Sequence, residues 1–252
     1  MTTATTNTSV GHEPELLGQT VVLIGGSAGI GLETARRARR EGAEVVLTGR
    51  DPGRLEQAAQ DVGARSTAAF DANDPLALER FFGGVPEPID HVLVTAGRPH
   101  YKAMLEMNSD EVRDAIGDHV VQALEVARNA AGKMRPGGTL LLMGGTGGRK
   151  IRRELGLAST ATAVLPPFVS TLALELAPVR VNLIAAGFVD TPLSASLLGD
   201  GLEARRQGLR DTLPIGRVVG PEDVAALAVH IMANTALTGA TFDIDGGQQF
   251  VE

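Results

Sequence analysis

The chain has 252 residues, of which 43% are hydrophobic, and this is enough for the core of one large α/β domain or two small ones. A formal net charge of −7 argues against nucleic acid as a main partner, and the absence of cysteine excludes disulfides and thiolate chemistry. Neither a signal peptide nor an apolar stretch of membrane-spanning length is evident, so we expect a soluble, cytoplasmic protein without a membrane partner.

The Thr-rich residues 1–17 are predicted to be a disordered tail, followed by a single domain at residues 18–252. The first predicted element is a strand at Thr20–Gly25, whose apolar, β-branched run is typical of burial on both faces. A cluster of glycines and a helical segment, Leu32–Arg40, follow this strand. Glycines let a backbone approach a pyrophosphate and a helix start offers free N–H groups, so we favour a dinucleotide site over a plain turn.

Strand-like and helix-like segments alternate along the rest of the chain. The further predicted strands are Ala43–Thr48, Ser66–Phe70, Ile89–Thr95, Gly138–Met143, Arg180–Ile184 and Thr241–Asp245. The further predicted helices are Arg54–Val62, Leu76–Phe82, Asp110–Met134, Val169–Leu176 and Pro221–Met232. This alternation predicts an α/β fold, a Rossmann-type doubly wound parallel sheet of about seven strands with helices on both faces. The least regular internal segment, Leu193–Leu213, is predicted to be a mobile lid over a cleft.

A series of short motifs occurs in the order and spacing of one enzyme family. The motifs are Gly25-x-x-x-Gly29-x-Gly31, Asp71, Thr95-Ala96-Gly97, the run from Leu174 to Asn182, the run from Ala186 to Pro192, and Asp243-Ile244-Asp245-Gly246-Gly247. From about Gly18 to its end, the chain therefore resembles the short-chain dehydrogenase/reductase family. The resemblance implies hydride transfer between a nicotinamide cofactor and a small substrate, in a homo-oligomer that is a tetramer or a dimer.

The resemblance also implies a set of cofactor-binding residues. By their positions in the motifs these are Gly25, Ser27, Gly29, Ile30, Gly31, Arg50, Asp71, Ala72, Thr95, Ala96, Gly97, Gly187, Val189 and Thr191. Asp71 would hold the adenine ring, and Val189 and Thr191 would meet the nicotinamide carboxamide. For Thr191, a simple turn residue before the next proline is an equally good interpretation.

The end of the second strand indicates which cofactor is used. An acidic residue there would bind the ribose hydroxyls and favour NAD, whereas this chain has Gly49 followed by Arg50. A guanidinium suits a 2′-phosphate by its charge and its bidentate geometry, so we predict NADP(H) in preference to NAD(H). The alternative is that Arg50 pairs with Asp51 or faces the solvent.

The catalytic half of the family's pattern is missing. Aligning backward from the Leu172–Leu176 run places Ala158 at the position of the family's Tyr and Thr162 at that of its Lys. Gly145 falls at the Ser position and His119 at the Asn position. Loss of a general acid costs about 10²–10⁴-fold in rate. The Pro166-Pro167 pair that follows would also bend or shorten the helix that normally carries Tyr and Lys.

Three residues are candidates for the missing role. His119 suits proton transfer because histidine titrates near neutrality, although a hydrogen-bonded helix histidine is the more ordinary interpretation. Tyr101 and its neighbour His100 follow the fourth strand near the nicotinamide side, although a surface loop is favoured for them. Thr146 would hold a substrate oxygen. For the charged run at 149–153, a solvated surface is favoured over a site for an acidic substrate or partner. No metal site is predicted.

Three functions remain open at this point. The first is an NADP(H)-dependent oxidoreductase that acts on a small carbonyl, alcohol or activated alkene with relocated acid–base groups. The second is a cofactor-binding sensor or regulatory subunit without turnover. The third is a structural partner of an active relative in an oligomer. The retained cofactor motifs favour the first two.

Overall fold

Seven parallel strands form one sheet in the computed structural model, which describes residues 13–149, 151 and 153–251. The strands are β1 (Thr20–Ile24), β2 (Glu44–Gly49), β3 (Ser66–Ala69), β4 (Ile89–Val94), β5 (Met134–Gly145), β6 (Arg180–Ala186) and β7 (Thr241–Ile244). The spatial order is β3-β2-β1-β4-β5-β6-β7, so the winding reverses between β1 and β4. All seven predicted strands are confirmed. The largest difference between a predicted and an observed strand boundary is at β5, which begins at Met134 because this residue pairs with Ile89.

Helices connect the strands. They are α1 (Gly29–Arg40), α2 (Pro52–Val62), α3 (Pro75–Gly84), α4 (Ser109–Ile116), α5 (Gln122–Ala131), α6 (Leu157–Ala163), α7 (Leu165–Glu175), α8 (Pro192–Leu198), α9 (Leu202–Thr212), α10 (Pro221–Ala233) and α11 (Gln248–Val251). Asp51 and Asp74 cap α2 and α3 by accepting hydrogen bonds from backbone N–H groups of the first turn. A proline follows each of these caps, at a position where its missing N–H costs nothing.

Two hydrophobic cores lie on opposite faces of the sheet. Val22 and Ile24 of β1 point to the face covered by α3, α5 and α7, and Val21 and Leu23 point to the face covered by α1, α2 and α10. Successive side chains of a strand point to opposite faces, so a parallel strand buried on both faces, such as β1, is apolar at nearly every position. The predicted doubly wound α/β fold is confirmed.

Three expectations about the helices need correction. The segment Leu193–Leu213, expected to be irregular, is almost entirely helical, because it contains most of α8 and all of α9. The predicted helix Asp110–Met134 is interrupted by a π-helical turn at Gly117–Val121 and ends before β5. The helix near the Pro166-Pro167 pair is divided at Val164 into α6 and α7. Both prolines lie in the first turn of α7, where a residue without an N–H loses no helical hydrogen bond.

The predicted N-terminal tail and the expected absence of an apolar stretch of membrane-spanning length also need correction. Leu16 is fully buried, and its N–H donates to the carbonyl of Glu41, so the predicted tail 1–17 is too long. Residues 1–12 of that tail lie outside the described residues. Within the described part, the helical segment Leu157–Glu175 is long and apolar enough to cross a membrane by length and composition alone, with 33% of it buried in this fold. Core helices of globular proteins meet the same criterion.

A buried arginine joins the sheet to the end of α10. Arg180, the first residue of β6, is 5% exposed, and no carboxylate among the described residues pairs with it. Its guanidinium instead donates hydrogen bonds of 2.8–3.1 Å to the carbonyls of Gly137, Ile231, Met232, Asn234 and Leu237. The bonds to Ile231 and Met232 satisfy carbonyls that the end of α10 leaves without intrahelical partners.

Candidate active site and cofactor cleft

The turn between β1 and α1 is closed by contacts that only glycine permits. A Cβ on Gly31 would lie 2.2 Å from the carbonyl oxygen of Gly25, and Gly25 itself has a φ of +101°. Ala28 precedes α1 and supplies no side-chain cap, so the first N–H groups of this 12-residue helix remain available to a ligand. The turn also lies at the carboxyl end of β1, beside the reversal of strand order, where α/β sheets bind ligands.

Thr95 fixes the far side of this turn. Its Oγ1 donates to the carbonyl of Gly25 at 2.9 Å, and its backbone N–H donates to the carbonyl of Ile24 at 2.8 Å. A Cβ on Gly25 would meet the Ala96 nitrogen at 2.7 Å. The segment Thr95-Ala96-Gly97 therefore packs directly against the glycine turn, as its place in the predicted site requires.

The end of β2 leaves Arg50 accessible. A Cβ on Gly49 would lie 2.9 Å from Ser27 Oγ, so this glycine brings β2 close to the turn. Asp51 accepts a hydrogen bond from the Arg54 N–H and pairs with its guanidinium at 3.3 Å. The interpretation in which Asp51 occupies Arg50 is therefore wrong. Among the described residues, Arg50 has no ion-pair or hydrogen-bond partner and faces the solvent.

The loop after β3 carries the residues expected beside the adenine ring. Asp71 is exposed and accepts a hydrogen bond from the Asn73 N–H at 2.9 Å, and Ala72 is buried between them. The Asp71 side chain therefore fixes this loop without a ligand.

The loop after β6 reaches the same cleft from the other side. Gly187 fits closely against the next segment, since a Cβ there would lie 2.6 Å from Gln248 Oε1. Val189 pairs with Val219 and is buried. Thr191 caps α8 by accepting a hydrogen bond from the Ser194 N–H, and its Cβ lies 3.4 Å from the place that a Cβ on Gly29 would take. Thr191 is therefore both a helix cap and a neighbour of the glycine turn.

One cavity of about 580 Å³ joins the cofactor side to the catalytic candidates. On the cofactor side it is lined by Ile30, Thr95, Ala96, Gly97, Gly187, Val189 and Thr191. Tyr101, His119 and Thr146 line the same cavity. The remaining predicted cofactor residues do not line it and would lie toward the phosphates, ribose and adenine; they are Gly25, Ser27, Gly29, Gly31, Arg50, Asp71 and Ala72. The fold therefore brings all three catalytic candidates to one end of the predicted cofactor cleft.

His119 occupies the π-helical turn, a feature that often marks functional positions. Its Nδ1 lies 3.3 Å from the carbonyl oxygen of Ala115 and must donate to it, which leaves Nε2 as an acceptor in the neutral ring. Burial lowers the pKa of His119, against the opposing effects of this hydrogen bond and of Asp118. The imidazole is therefore neutral at neutral pH and suited to accept a proton.

The pKa of Tyr101 is shifted upward, whereas that of His119 is shifted downward. Its ring lines the cavity from the loop after β4 and is 55% exposed. Partial burial raises the pKa of the phenol, and the nearby Arg205 opposes this effect. The phenol is therefore protonated at neutral pH and has a proton to give, but the raised pKa makes it a weaker acid than a free tyrosine. The exposure of Tyr101 agrees with the favoured surface loop, but its ring also contributes to the cavity wall.

Sequence reasoning missed a buried pair beside these candidates. His100 Nε2 lies 2.8 Å from Asp118 Oδ2, with the two side chains 15% and 11% exposed. The other carboxylate oxygen accepts a hydrogen bond from Asn73 Nδ2, and Asn73 Oδ1 accepts one from Gln122 Nε2 at 2.8 Å. The surface interpretation of His100 is therefore wrong. The sequence offers one signal for this pair: Asp118 directly precedes His119, which aligns with the family's Asn position.

The described residues of the charged run at 149–153, which are Arg149, Ile151 and Arg153, do not line the cavity. Arg149 pairs with Asp243 and belongs to the exposed surface, and Arg153 is also exposed. Lys150 and Arg152 lie outside the described residues. Among the described residues, no group of three or more His, Cys, Asp or Glu side chains is arranged to hold a metal ion.

The chain matches the model of a known enzyme family along almost its whole length. Residues 25–249 match a family model described as Enoyl-(Acyl carrier protein) reductase. The chain belongs to the short-chain dehydrogenase/reductase family. Curated relatives of this short-chain dehydrogenase/reductase include ATR9 of Stachybotrys chlorohalonatus, 28% identical over 93% of this chain and 98% of the relative. Another is the NADP-dependent (R)-specific alcohol dehydrogenase of Lentilactobacillus kefiri, 28% identical over 92% of this chain and 97% of the relative.

Solved structures agree with this assignment. A single-substitution variant of the actinorhodin polyketide ketoreductase, solved with NADPH, superposes with a TM-score of 0.85 and 25% identity, over 92% of this chain and 98% of that one. A short-chain dehydrogenase/reductase from Brucella melitensis superposes with a TM-score of 0.86, over 96% of this chain and all of that one. At 22% identity, the second comparison supports the fold alone.

The family's nicotinamide dinucleotide fits the residues that this short-chain dehydrogenase/reductase presents. A Cβ on Gly31 would occupy the closed glycine turn, and the uncapped start of α1 presents N–H groups where a pyrophosphate needs donors. Gly25, Gly29, Ile30 and Gly31 would hold the pyrophosphate, and Arg50 and Asp71 would hold the ribose and adenine ends.

The catalytic positions of this short-chain dehydrogenase/reductase hold small side chains. Ala158 is 8% exposed and lines the cavity, and Thr162 Oγ1 donates to the carbonyls of Ala158 and Ser159 at 3.0 and 3.1 Å. A Cβ on Gly145 would meet the Thr162 methyl at 3.3 Å. Thr146, the adjacent hydroxyl, is 6% exposed and lines the cavity.

Proposed function

We propose that the protein is an NADP(H)-dependent oxidoreductase that acts on a small carbonyl, alcohol or activated alkene through an acid–base centre different from the family's. The observation that carries this proposal is one cavity shared by the glycine-turn side and three candidate side chains, of which Tyr101 and His119 can exchange a proton and Thr146 can hydrogen-bond a substrate oxygen. When bound, the nicotinamide would supply or accept a hydride. The description of the matching family as an enoyl reductase favours the alkene alternative.

The preference for NADP(H) rests on the unpaired Arg50 after β2. Its guanidinium is exposed, while the neighbouring Asp51 already holds Arg54. A guanidinium can bind a 2′-phosphate with two parallel hydrogen bonds. The NADP-dependent Lentilactobacillus relative and the ketoreductase solved with NADPH support the same choice.

The proton-transfer roles follow from the protonation states at neutral pH. In one assignment, Tyr101 would donate a proton to the carbonyl oxygen during reduction, and its phenolate would take that proton back during oxidation of the alcohol. In the other, His119 Nε2 would accept the proton of the alcohol during oxidation, and the imidazolium would return it during reduction. Thr146 would hold the substrate oxygen. These roles need neither Ala158 nor Thr162, whose side chains cannot exchange protons near neutral pH.

Calorimetric titration with NADPH and, separately, NADH tests the cofactor proposal without knowledge of the substrate. We expect NADPH to bind at least about tenfold more tightly, and Arg50→Ala to remove that difference. The matched control is Arg54→Ala, whose guanidinium is held by Asp51. Equal affinity for the two cofactors in the wild type would contradict the NADP(H) preference, and absence of binding would contradict the whole proposal.

A cofactor-binding sensor without turnover is the second candidate function, favoured by the small side chains at Ala158 and Thr162. NADPH oxidation with a panel of ketones, aldehydes and enones distinguishes the two. Turnover that falls about 10²-fold or more in Tyr101→Phe or His119→Gln would support the oxidoreductase with relocated groups. NADPH binding without turnover on the panel would support the sensor.

We also propose that the protein is cytoplasmic and forms a homo-oligomer, a dimer or a tetramer. Val164 and Leu174, on the apolar segment Leu157–Glu175, are 40% and 82% exposed in the single chain, and association would cover them. Light scattering of the purified protein gives the mass directly. Co-purification of an active relative would instead support the structural-partner function.

A further inference from the structure

Three leucines of α8 form an apolar edge at the mouth of the cavity. Leu193, Leu197 and Leu198, here called the leucine rim, are 41%, 40% and 38% exposed, and all three line the cavity. Leu193 and Leu197, four residues apart, lie on one side of α8, and Leu198 is the last residue of the helix. Apolar side chains left partly in water beside a concave site mark a surface that a ligand covers.

The rest of the cavity wall is also largely hydrocarbon. It includes the ring of Tyr101, the side chain of Leu155 and, deeper in the cavity, Leu142 and Ala158. Ala158 contributes only a methyl group at the position where the family has Tyr, which leaves the interior of this cavity more apolar.

The charged groups of the described wall are already matched or lie at the surface. Asp118 accepts hydrogen bonds from His100, at 2.8 Å, and from Asn73. The guanidinium of Arg205 lies over the ring of Phe188, 5.7 Å from its centroid. Arg98 is exposed to solvent. Among the described residues of the wall, no buried charged side chain lacks a partner, so a charged substrate would find no free counter-ion in the interior, and its burial without a partner would be costly.

We propose, as an extension of the proposed function, that the substrate is an uncharged molecule whose hydrocarbon chain or ring covers the leucine rim. Its reacting oxygen or alkene would lie toward Tyr101 and His119. Each CH₂ group moved from water onto the rim would favour binding by about 0.8 kcal/mol, which is roughly a fourfold gain in affinity.

The test is displacement of a neutral apolar dye, Nile red, by methyl ketones from 2-butanone to 2-octanone. We expect the dissociation constant to fall up to about fourfold per CH₂, and the anion octanoate to bind at least about tenfold more weakly than 2-octanone. Leu197→Ser should weaken 2-octanone binding about fivefold. Leu76→Ser is the matched control, since Leu76 is 62% exposed and lies on α3, outside the cavity wall. Leu193→Ser serves as a second variant should Leu197→Ser fail to fold.

Several outcomes would overturn the inference. They are affinity independent of chain length, octanoate binding as tight as that of 2-octanone, and Leu197→Ser and Leu193→Ser variants that bind 2-octanone like the wild type. A lower mass of Leu197→Ser by light scattering, with ketone binding retained, would show that a second copy covers the rim. NADPH titration of the same wild-type sample separates the two proposals. NADPH binding without ketone selectivity removes only this inference, and ketone selectivity without NADPH binding removes only the cofactor assignment.

Discussion

The Asp118 carboxylate accepts a hydrogen bond from His100 Nε2 over 2.8 Å, and both side chains are almost fully buried. Since the other oxygen accepts a hydrogen bond from Asn73, the carboxylate joins the loop after β4 to the loop after β3. The same Asn73 donates its N–H to Asp71, at the expected adenine side. Asp118 thus links the cofactor side of the cleft to the loop that carries Tyr101.

Replacing Asp118 with Ala should loosen both loops. The change leaves His100 and Asn73 without their shared acceptor, and a lost buried hydrogen bond to a charged group costs about 1.5–3 kcal/mol. Amide hydrogen exchange in residues 71–74 and 98–103 should accelerate by about tenfold or more. Asp110→Ala is the control, because that side chain is 87% exposed on the same helical segment. Acceleration in only one of the two loops would show that Asp118 does not couple them.

Gly31→Ala should disrupt the glycine turn. The new methyl group would lie 2.2 Å from the Gly25 carbonyl oxygen, so the backbone must move, at a cost of about 1–3 kcal/mol. NADPH affinity measured by calorimetry should fall by at least about tenfold. Gly83→Ala is the matched helical change, with no atom within 4 Å of the new Cβ, and should leave affinity unchanged and stability equal or slightly higher. Unaltered NADPH binding by Gly31→Ala would place the cofactor elsewhere.

His91 should make the fold sensitive to acid. Burial, with a smaller contribution from Arg180, lowers the pKa of His91 from 6.5 to about 3, while its Nε2 donates to Gln19 Oε1 at 2.6 Å. The unfolded chain therefore takes up a proton near pH 6.5 that the folded protein refuses until about pH 3. The contribution of His91 to the free energy of unfolding is complete above pH 6.5 and falls by about 1.4 kcal/mol per pH unit below it.

Urea denaturation at a series of pH values measures this effect. His91→Gln, which carries no titrating ring, should show a shallower loss of stability between pH 6.5 and 3 than the wild type. His230→Gln is the control, because His230 is exposed near the end of α10. Identical slopes for His91→Gln and the wild type would mean that His91 is protonated in the fold.

Arg180→Lys should destabilise the protein although it preserves the charge. A lysine ammonium has three donors in place of the guanidinium fork and cannot reach all five carbonyls that Arg180 now binds. We expect the free energy of unfolding to fall by roughly 2–4 kcal/mol. Arg113→Lys, at a side chain 73% exposed on α4, should change it by less than about 0.5 kcal/mol. Equal effects of the two changes would contradict a structural role for the buried guanidinium.

The glycine turn was predictable because it depends on backbone sterics at closely spaced positions. Gly25, Gly29 and Gly31 occur within seven residues, and the strand and helix that flank them are visible in local hydrophobic patterns. The helices within Leu193–Leu213 were missed for the opposite reason. Leu209 is the one buried residue of α8 and α9, so neither helix has the wide apolar face by which a buried helix is recognised.

The amino-acid sequence by itself determined the parallel sheet, the glycine turn and the absence of the family's Tyr and Lys, because each depends on residue types at fixed local spacing. Only the tertiary structure decided that His100 pairs with Asp118 and that the leucine rim borders the cavity. These residues lie on separate elements, and their approach depends on sheet order and helix packing. Hydrogen bonds and desolvation between distant segments leave no periodic signal in the sequence.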